Sequence, residues 1–222
     1  MTDTRCDVRL LVLGASLGSK SLNSRLAALA SRLAEEKGGI VDRAAMSDFA
    51  CPLYDSDLEE ETGVPAGALA FGERLRKADA LLLASPEYNA SMPGVIKNLI
   101  DWVSRLMPQP FNGKQALLLS ASPSMVGGNR GLWSLRVPLE HLGMRVYPDM
   151  FSLAQAHQAF DGDGGLVNAK LQERLATTLA TFMQLVEAAR NYGGLKKRWI
   201  EFLGERPDPA TEREQATTLG AA

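Results

Sequence analysis

Three short runs of apolar residues along the chain predict strands that are buried on both faces of a sheet. They cover residues 8–13, 80–84 and 115–121. Each run is shorter than an ordinary helix and is almost uninterrupted by polar residues, as is typical of a parallel sheet with helices on both sides. Weaker patterns at 39–44 and 145–148 predict two further strands.

Between these runs, apolar residues recur at spacings of three and four, which predicts amphipathic helices. Strands that alternate with helices are typical of a parallel sheet with right-handed crossovers. The segment 47–64 contains Pro52 and an acidic run, so we predict a loop there. The helical patterns cover residues 22–33, 66–77, 91–103, 132–142 and 166–189.

The alternating pattern ends at Gly193 and Gly194, which gives the predicted domain organisation. We predict one domain over residues 1–194, since a chain of this length can bury a substantial core. Residues 195–222 are predicted to form a C-terminal extension that is partly disordered. Its first part is basic and apolar, and its remainder is polar.

Composition narrows the classes of function. The chain has 222 residues, of which 45% are hydrophobic and 23% are charged, with a net charge of −2. This near-neutral balance does not indicate a positively charged surface that would bind nucleic acid. No apolar run is long enough for a membrane span, and the N-terminus lacks a signal-peptide pattern, so we expect a cytoplasmic protein without a membrane partner. Two cysteines and two histidines without visible partners predict no metal site.

Three polar loops follow the three strongest strands: the first loop (residues 14–23), the second loop (85–89) and the third loop (122–130). Five strands in this arrangement fit a flavodoxin-like three-layer fold of strand order 2-1-3-4-5, in which FMN lies at the switch between strands one and three. Hydroxyls and glycines before a helix make the first loop either an anion cradle or a simple helix cap. Gly127 and Gly128 allow close approach to a flat ligand, or form an ordinary turn.

Residues 85–102 read SPEYNASMPGVIKNLIDW, and this stretch resembles the central signature of the NADPH-dependent FMN reductase family, S/T-P-E-Y-N-x-S-x-P-G-x-x-K-N-x-I-D-W. Residues 15–23 are similar to the family's G-S-x-R-x-x-S-x-N, although Gly18 stands in the place of the arginine. The third loop resembles S-P-G-x-x-G-G, with Ser124 where glycine is usual. The resemblance spans roughly residues 8–190.

The resemblance implies that the first loop holds the FMN phosphate and that the other two loops line the isoalloxazine ring. It implies hydride transfer from NADPH or NADH to bound FMN, and then to a diffusible acceptor such as a quinone, an azo compound, free flavin, a metal oxyanion or oxygen. Because the hydride passes directly to the flavin, no catalytic side chain is assigned. A homodimer or homotetramer is also implied. The implied FMN-binding residues are Ser16, Ser21, Leu22, Asn23, Pro86, Glu87, Tyr88, Asn89, Ser122, Gly127 and Gly128.

Two other interpretations compete with a flavin reductase. Residues 14–21 (GASLGSKS) approach the phosphate-loop pattern G-x-x-x-x-G-K-S/T of nucleotide hydrolases, but Ser19 replaces the glycine before Lys20. Neither later strand ends in the aspartate that would hold magnesium. An electron carrier or a flavin-binding regulatory protein could use the same fold, yet a net charge of −2 does not indicate the charged docking face of a carrier.

Overall fold

The computed structural model describes residues 7–203, with side chains described through residue 190. Its centre is a parallel sheet with the path β2-β1-β3-β4-β5, which confirms the predicted flavodoxin-like order. A short sixth strand pairs with β4. The strands are β1 (Arg9–Gly14), β2 (Ile40–Ala45), β3 (Ala80–Ala84), β4 (Gln115–Ala121), β5 (Arg145–Val146) and β6 (Phe151–Leu153).

Helices fall close to the predicted positions, with one addition. The segment 47–64 was predicted to be a loop, but it contains a short helix, α2, because Asp55 caps it: the Asp57 N–H donates to Asp55 Oδ1 over 2.9 Å. The helices are α1 (Leu22–Glu36), α2 (Ser56–Thr62), α3 (Ala66–Lys77), α4 (Gly94–Val103), α5 (Asn129–His141) and α6 (Ala169–Leu203), with 3₁₀ turns at Met46–Phe49 and Ala156–Gln158.

The two faces of the sheet carry separate hydrophobic clusters, because successive side chains of a strand point to opposite faces. One cluster includes Phe71 of α3, Trp102 of α4 and Leu135 of α5. The other includes Leu26 of α1 and Phe182 of α6. All five side chains are buried. Helices therefore cover both faces, and the predicted three-layer arrangement is confirmed.

The fifth strand position is divided between two short segments. β5 pairs with the start of β4 at Gln115 and Ala116, and β6 pairs with its end, from Leu119 to Ala121. Pro148 lies between the segments and has no N–H to donate to the ladder. The division brings β6 to the carboxyl edge of the sheet, where the strands end.

Helix α6 differs from the prediction at both ends. It begins at Ala169 instead of near residue 166, because the Asn168 side chain accepts the Lys170 N–H over 3.0 Å and caps the helix. It also continues through Gly193 and Gly194 to Leu203. The division of the chain at residue 194 stays a prediction, and residues 1–6 and 204–222, including most of the predicted extension, lie outside the described residues. Among the described helices, none is long and apolar enough to cross a membrane.

Candidate functional site

The three loops lie side by side at the carboxyl edge, because β1, β3 and β4 are neighbours in the sheet. Backbone hydrogen bonds tie the start of each loop to the next strand. The Ala15 N–H donates to Ala84 O over 2.8 Å, and the Ser85 N–H donates to Leu119 O over 2.9 Å. The sheet thus brings together loops that are far apart in sequence.

The first loop offers hydrogen-bond donors, and residues 14–23 contain no acidic residue. Ser21 caps α1 by accepting the Ser24 N–H at its Oγ over 3.1 Å, so its own hydroxyl hydrogen remains available to a ligand. The first helical turn contains Leu22 and Asn23, whose N–H groups have no acceptor within the helix, and it has no acidic residue. Ser16 lies half-buried just before them. A dianionic phosphate fits this set of donors.

Asn23 has a second role that the sequence pattern did not reveal. Its side chain exchanges two hydrogen bonds with the backbone of Ala121, each 2.9 Å long, and is buried. This pair fastens the first turn of α1 to the end of β4. Only the backbone N–H of Asn23 therefore remains to face a phosphate.

The second loop is a tight hairpin. Tyr88 and Ser91 exchange backbone hydrogen bonds of 2.9 and 3.0 Å around Asn89 and Ala90, whose φ angles are +51° and +62°. Two successive positive φ angles define a type I′ turn, in which asparagine is favoured and alanine is strained. The helical pattern was predicted from residue 91, but α4 begins only at Gly94, because the backbone pairing with Tyr88 holds Ser91 in the hairpin.

Glu87 joins the second loop to the third. Its carboxylate accepts the N–H groups of Arg130 and Gly131 over 2.9 and 3.2 Å, and it also accepts Arg130 Nε over 2.9 Å. Burial raises the pKa of Glu87, but the hydrogen bonds from Arg130 and Gly131 outweigh it, and the net pKa is below its ordinary value. Glu87 therefore acts as an ionised cap of α5, and its charge is paired with that of Arg130.

The third loop depends on two glycines. Gly127 and Gly128 have φ angles of +65° and +83°, and Gly128 is the N-cap residue of α5. A Cβ atom on Gly128 would lie 2.0 Å from Ser120 Oγ, so this turn lies directly on β4. Ser120 Oγ and Ser152 Oγ are buried there without a hydrogen-bond partner. The turn leaves bare backbone at the carboxyl edge of the sheet. That this backbone approaches a flat ligand stays a prediction.

Comparison with known proteins shows the family to which the chain belongs. The family model for NADPH-dependent FMN reductases matches residues 8–158. The chain belongs to the NADPH-dependent FMN reductase family. It is 38% identical to an NAD(P)H-dependent FMN reductase of Pseudomonas aeruginosa, over 83% of this chain and 98% of that protein. It is 30% identical to a quinone reductase of Escherichia coli, over 82% and 97% of the two chains.

Solved structures agree with this assignment. The flavoenzyme NAD(P)H:(acceptor) oxidoreductase FerB of Paracoccus denitrificans superposes with a TM-score of 0.70 at 28% identity, over 82% of this chain and 98% of that one. The protein is therefore an NAD(P)H-dependent oxidoreductase that uses FMN. These findings do not support the nucleotide-hydrolase and electron-carrier alternatives.

The first loop lacks the arginine that the family motif places at Gly18. Two other cations lie near the first loop: the Lys20 side chain is exposed, and the Arg25 guanidinium lies 4.5 Å from the centre of the Phe160 ring. A Cβ atom on Gly18 would meet only Ser16 Oγ, at 3.8 Å, and the φ angle of Gly18 is not in the left-handed region. The position is therefore open to a long side chain.

We expect Gly18→Arg to tighten binding of FMN about 1.5- to 5-fold, which corresponds to about 0.2–1 kcal/mol for an exposed ion pair. Riboflavin, which lacks the phosphate, serves as the control ligand and should bind both proteins equally. Titration of the apoprotein with each flavin, at low and high salt, measures the effect. A variant that binds FMN more weakly while riboflavin is unaffected would mean that the glycine is needed for the backbone geometry of the loop.

Proposed function

We propose that the three loops together hold FMN, and that this reductase passes electrons to flat apolar acceptors of the quinone type. The phosphate binds at Ser16, Ser21 and the backbone of Leu22 and Asn23. The ring lies between the second and third loops. The remaining proposed FMN-binding residues are Pro86, Glu87, Tyr88, Asn89, Ser122, Gly127 and Gly128.

One observation carries the choice of acceptor. Each loop exposes a large apolar side chain at the carboxyl edge: Leu17 is 67% exposed, Tyr88 is 56% exposed and Met125 is 74% exposed. Val126 is also exposed. Apolar side chains around an open polar site favour a ligand with an apolar body, and relatives named quinone reductases support this choice.

The side chains of the loops bind FMN and orient it, and none of them is needed as an acid or a base. Bound FMN supplies the hydride chemistry between NAD(P)H and the acceptor. The donors of the first loop hold the phosphate, and the Gly127–Gly128 backbone approaches the ring. Glu87 holds the second and third loops together, and its charge is balanced by that of Arg130. The exposed apolar side chains exclude water from one side of a docked acceptor.

A spectrum of the purified protein tests the proposed half-reactions. We expect flavin absorbance near 450 nm, loss of that absorbance when NADPH is added without oxygen, and its return when a benzoquinone is added. A protein that takes up no FMN would contradict the proposed site. A flavin that NADPH reduces but that no quinone reoxidises would contradict the proposed acceptor alone.

Met125→Ser is expected to lower kcat/KM for an alkyl-substituted benzoquinone about fivefold, because about 1 kcal/mol of apolar contact with the acceptor is lost. The rate of flavin reduction by NADPH should change little. Met107→Ser is a matched control, since Met107 is 77% exposed but precedes β4 at the opposite edge of the sheet. Equal effects of the two substitutions would remove Met125 from the acceptor site.

We also propose that the reductase is a cytoplasmic homodimer or homotetramer. Trp133 and Val137 support the assembly: they are 57% and 71% exposed, and they lie one turn apart on α5, so they form an apolar face. A monomeric mass in light scattering at micromolar concentration would contradict the oligomer. Fractionation of cells tests the location.

A further inference from the structure

An apolar cleft of about 400 Å³ lies between β5 and α6 at the amino edge of the sheet, where the strands begin. The three loops of the candidate site lie at the opposite edge, so the cleft is separate from them. A cleft of this volume can hold a small organic ligand. Apolar residues make up most of the lining: Val146, Tyr147, Pro148, Leu185, Ala188 and Ala189.

Contacts on both sides hold the β5 wall of the cleft in place. The Tyr147 ring packs edge-on against Phe182 of α6, with 5.6 Å between the ring centres. Arg136 of α5 donates to the backbone oxygens of Tyr147 and Val146 over 3.2 and 3.3 Å. On the α6 wall, Leu185 is 42% exposed. The cleft is therefore a formed surface whose apolar area is in contact with solvent.

Two polar side chains stand side by side in the lining. Gln115 of β4 and Arg145 of β5 are paired in register, so their side chains project from the same face of the sheet. Gln115 shares this face with Leu117 and Leu119, which belong to the hydrophobic cluster that α6 covers. Both polar side chains are thus on the α6 side of the sheet, and both residues line the cleft.

Neither of these polar groups has a partner within residues 7–190. Gln115 is only 5% exposed, yet its side-chain amide makes no hydrogen bond there. The Arg145 guanidinium is exposed and makes neither a hydrogen bond nor an ion pair with the same residues. Because a buried amide without a partner costs stability, packing alone does not account for Gln115. The pair therefore offers free N–H donors to a ligand in the cleft.

The charge of the lining sets the sign of the ligand. Among the described residues that line the cleft, Arg145 carries the only charge and none is acidic. A guanidinium and an amide side by side match a carboxylate, which can accept hydrogen bonds from both. The apolar walls match a hydrocarbon body. A small amphipathic carboxylate, such as a medium-chain fatty acid, meets both requirements.

We propose that this cleft binds a small amphipathic monocarboxylate. Its carboxylate lies at Gln115 and Arg145, and its hydrocarbon body lies between β5 and Leu185. The cleft is away from the FMN loops, so this binding does not depend on the proposed function. The apoprotein and the FMN-loaded protein should therefore bind the ligand equally.

Calorimetric titration of the full chain with octanoate, with and without FMN, is the first test. We expect one site per chain, with affinity rising about two- to fourfold for each methylene between hexanoate and octanoate. The uncharged analogue 1-octanol should bind about fivefold more weakly than octanoate. The proposal would be overturned if octanoate does not bind at millimolar concentration, if FMN displaces it, or if 1-octanol binds as tightly.

Substitutions in the cleft locate the bound carboxylate. Arg145→Met should weaken octanoate about fivefold and leave 1-octanol unchanged, because it removes the charge and keeps an apolar side chain. Ala188→Trp, at an exposed position of α6, should weaken both ligands by filling the cleft. Arg43→Met is the matched control, since Arg43 is exposed on the other edge strand, β2, and should bind octanoate as the wild type does. Wild-type affinity for octanoate in both cleft variants would place the ligand elsewhere and overturn the proposal.

Gln115→Leu separates a role in ligand binding from a role in the fold. Leucine has a similar volume and needs no hydrogen bond, so the variant should resist thermal unfolding at least as well as the wild type. It should also bind octanoate about fivefold more weakly, because one donor to the carboxylate is lost. A lower melting temperature together with unchanged affinity for octanoate would mean that the amide serves the fold, and would overturn its assignment to the ligand.

Discussion

Gly128→Ala is expected to weaken FMN binding about tenfold and to lower the free energy of unfolding by about 2–3 kcal/mol. The new Cβ would lie 2.0 Å from Ser120 Oγ and 2.9 Å from Ser120 Cβ, and its φ of +83° disfavours any side chain. The turn must therefore move off β4, and the backbone that faces the flavin ring moves with it. Flavin titration and chemical denaturation measure the two effects.

Two further variants separate the contact from the backbone strain. Gly113→Ala is matched in φ, at +75°, but its Cβ would meet nothing within 4 Å, so it should lose about 1 kcal/mol of stability and no FMN affinity. Adding Ser120→Gly to Gly128→Ala should restore part of the FMN affinity by removing the contact. If Gly128→Ala binds FMN as tightly as the wild type, the third loop does not approach the ring.

Glu87→Ala is expected to lower the free energy of unfolding by about 2–3 kcal/mol and to weaken FMN binding several-fold. The substitution leaves the N–H groups of Arg130 and Gly131 without their acceptor and releases the second loop from α5. Glu73→Ala is the control, because the exposed pair of Glu73 with Arg76 should contribute less than about 1 kcal/mol. Equal losses of stability in the two variants would contradict the role of Glu87 as the cap of α5.

The pH dependence of Glu87→Gln follows from the lowered pKa of Glu87. Because the pKa is lower in the folded than in the unfolded protein, the ionised carboxylate stabilises the fold fully above the unfolded value, about 4.3. That stabilisation is lost as the pH falls through the folded pKa. The difference in stability between wild type and Glu87→Gln should thus be constant near neutral pH and shrink below about pH 4. A difference independent of pH would mean that Glu87 is not ionised in the fold.

Hydrophobic pattern predicted the strands, the helices and the layers, because buried parallel strands and amphipathic helices leave strong periodic signals. The strand order came from the fit of five alternating strands to the flavodoxin-like fold. The hydrophobic pattern failed where a local cap decided the structure. Asp55 begins α2 inside an apparent loop, and Asn168 sets the start of α6. Such single hydrogen bonds do not alter a hydrophobic pattern.

The three loops of the site were predictable, whereas the detailed roles of their side chains were not. Asn23 and Glu87 occupy positions of the family motifs. In the fold, however, the Asn23 side chain binds the backbone of Ala121, and the Glu87 side chain binds Arg130 and Gly131. Both partnerships join residues that are far apart in sequence, so only the packed sheet brings them together. A motif thus indicates the proposed site without distinguishing residues that face a ligand from residues that hold the loops in place.

A crystal structure of the FMN complex tests the central claim most directly. We expect phosphate oxygens within hydrogen-bond distance of the Leu22 and Asn23 N–H groups and of the Ser21 hydroxyl, with the ring against the Gly127–Gly128 backbone. FMN whose phosphate lies away from the start of α1, or whose ring lies outside the second and third loops, would contradict the account.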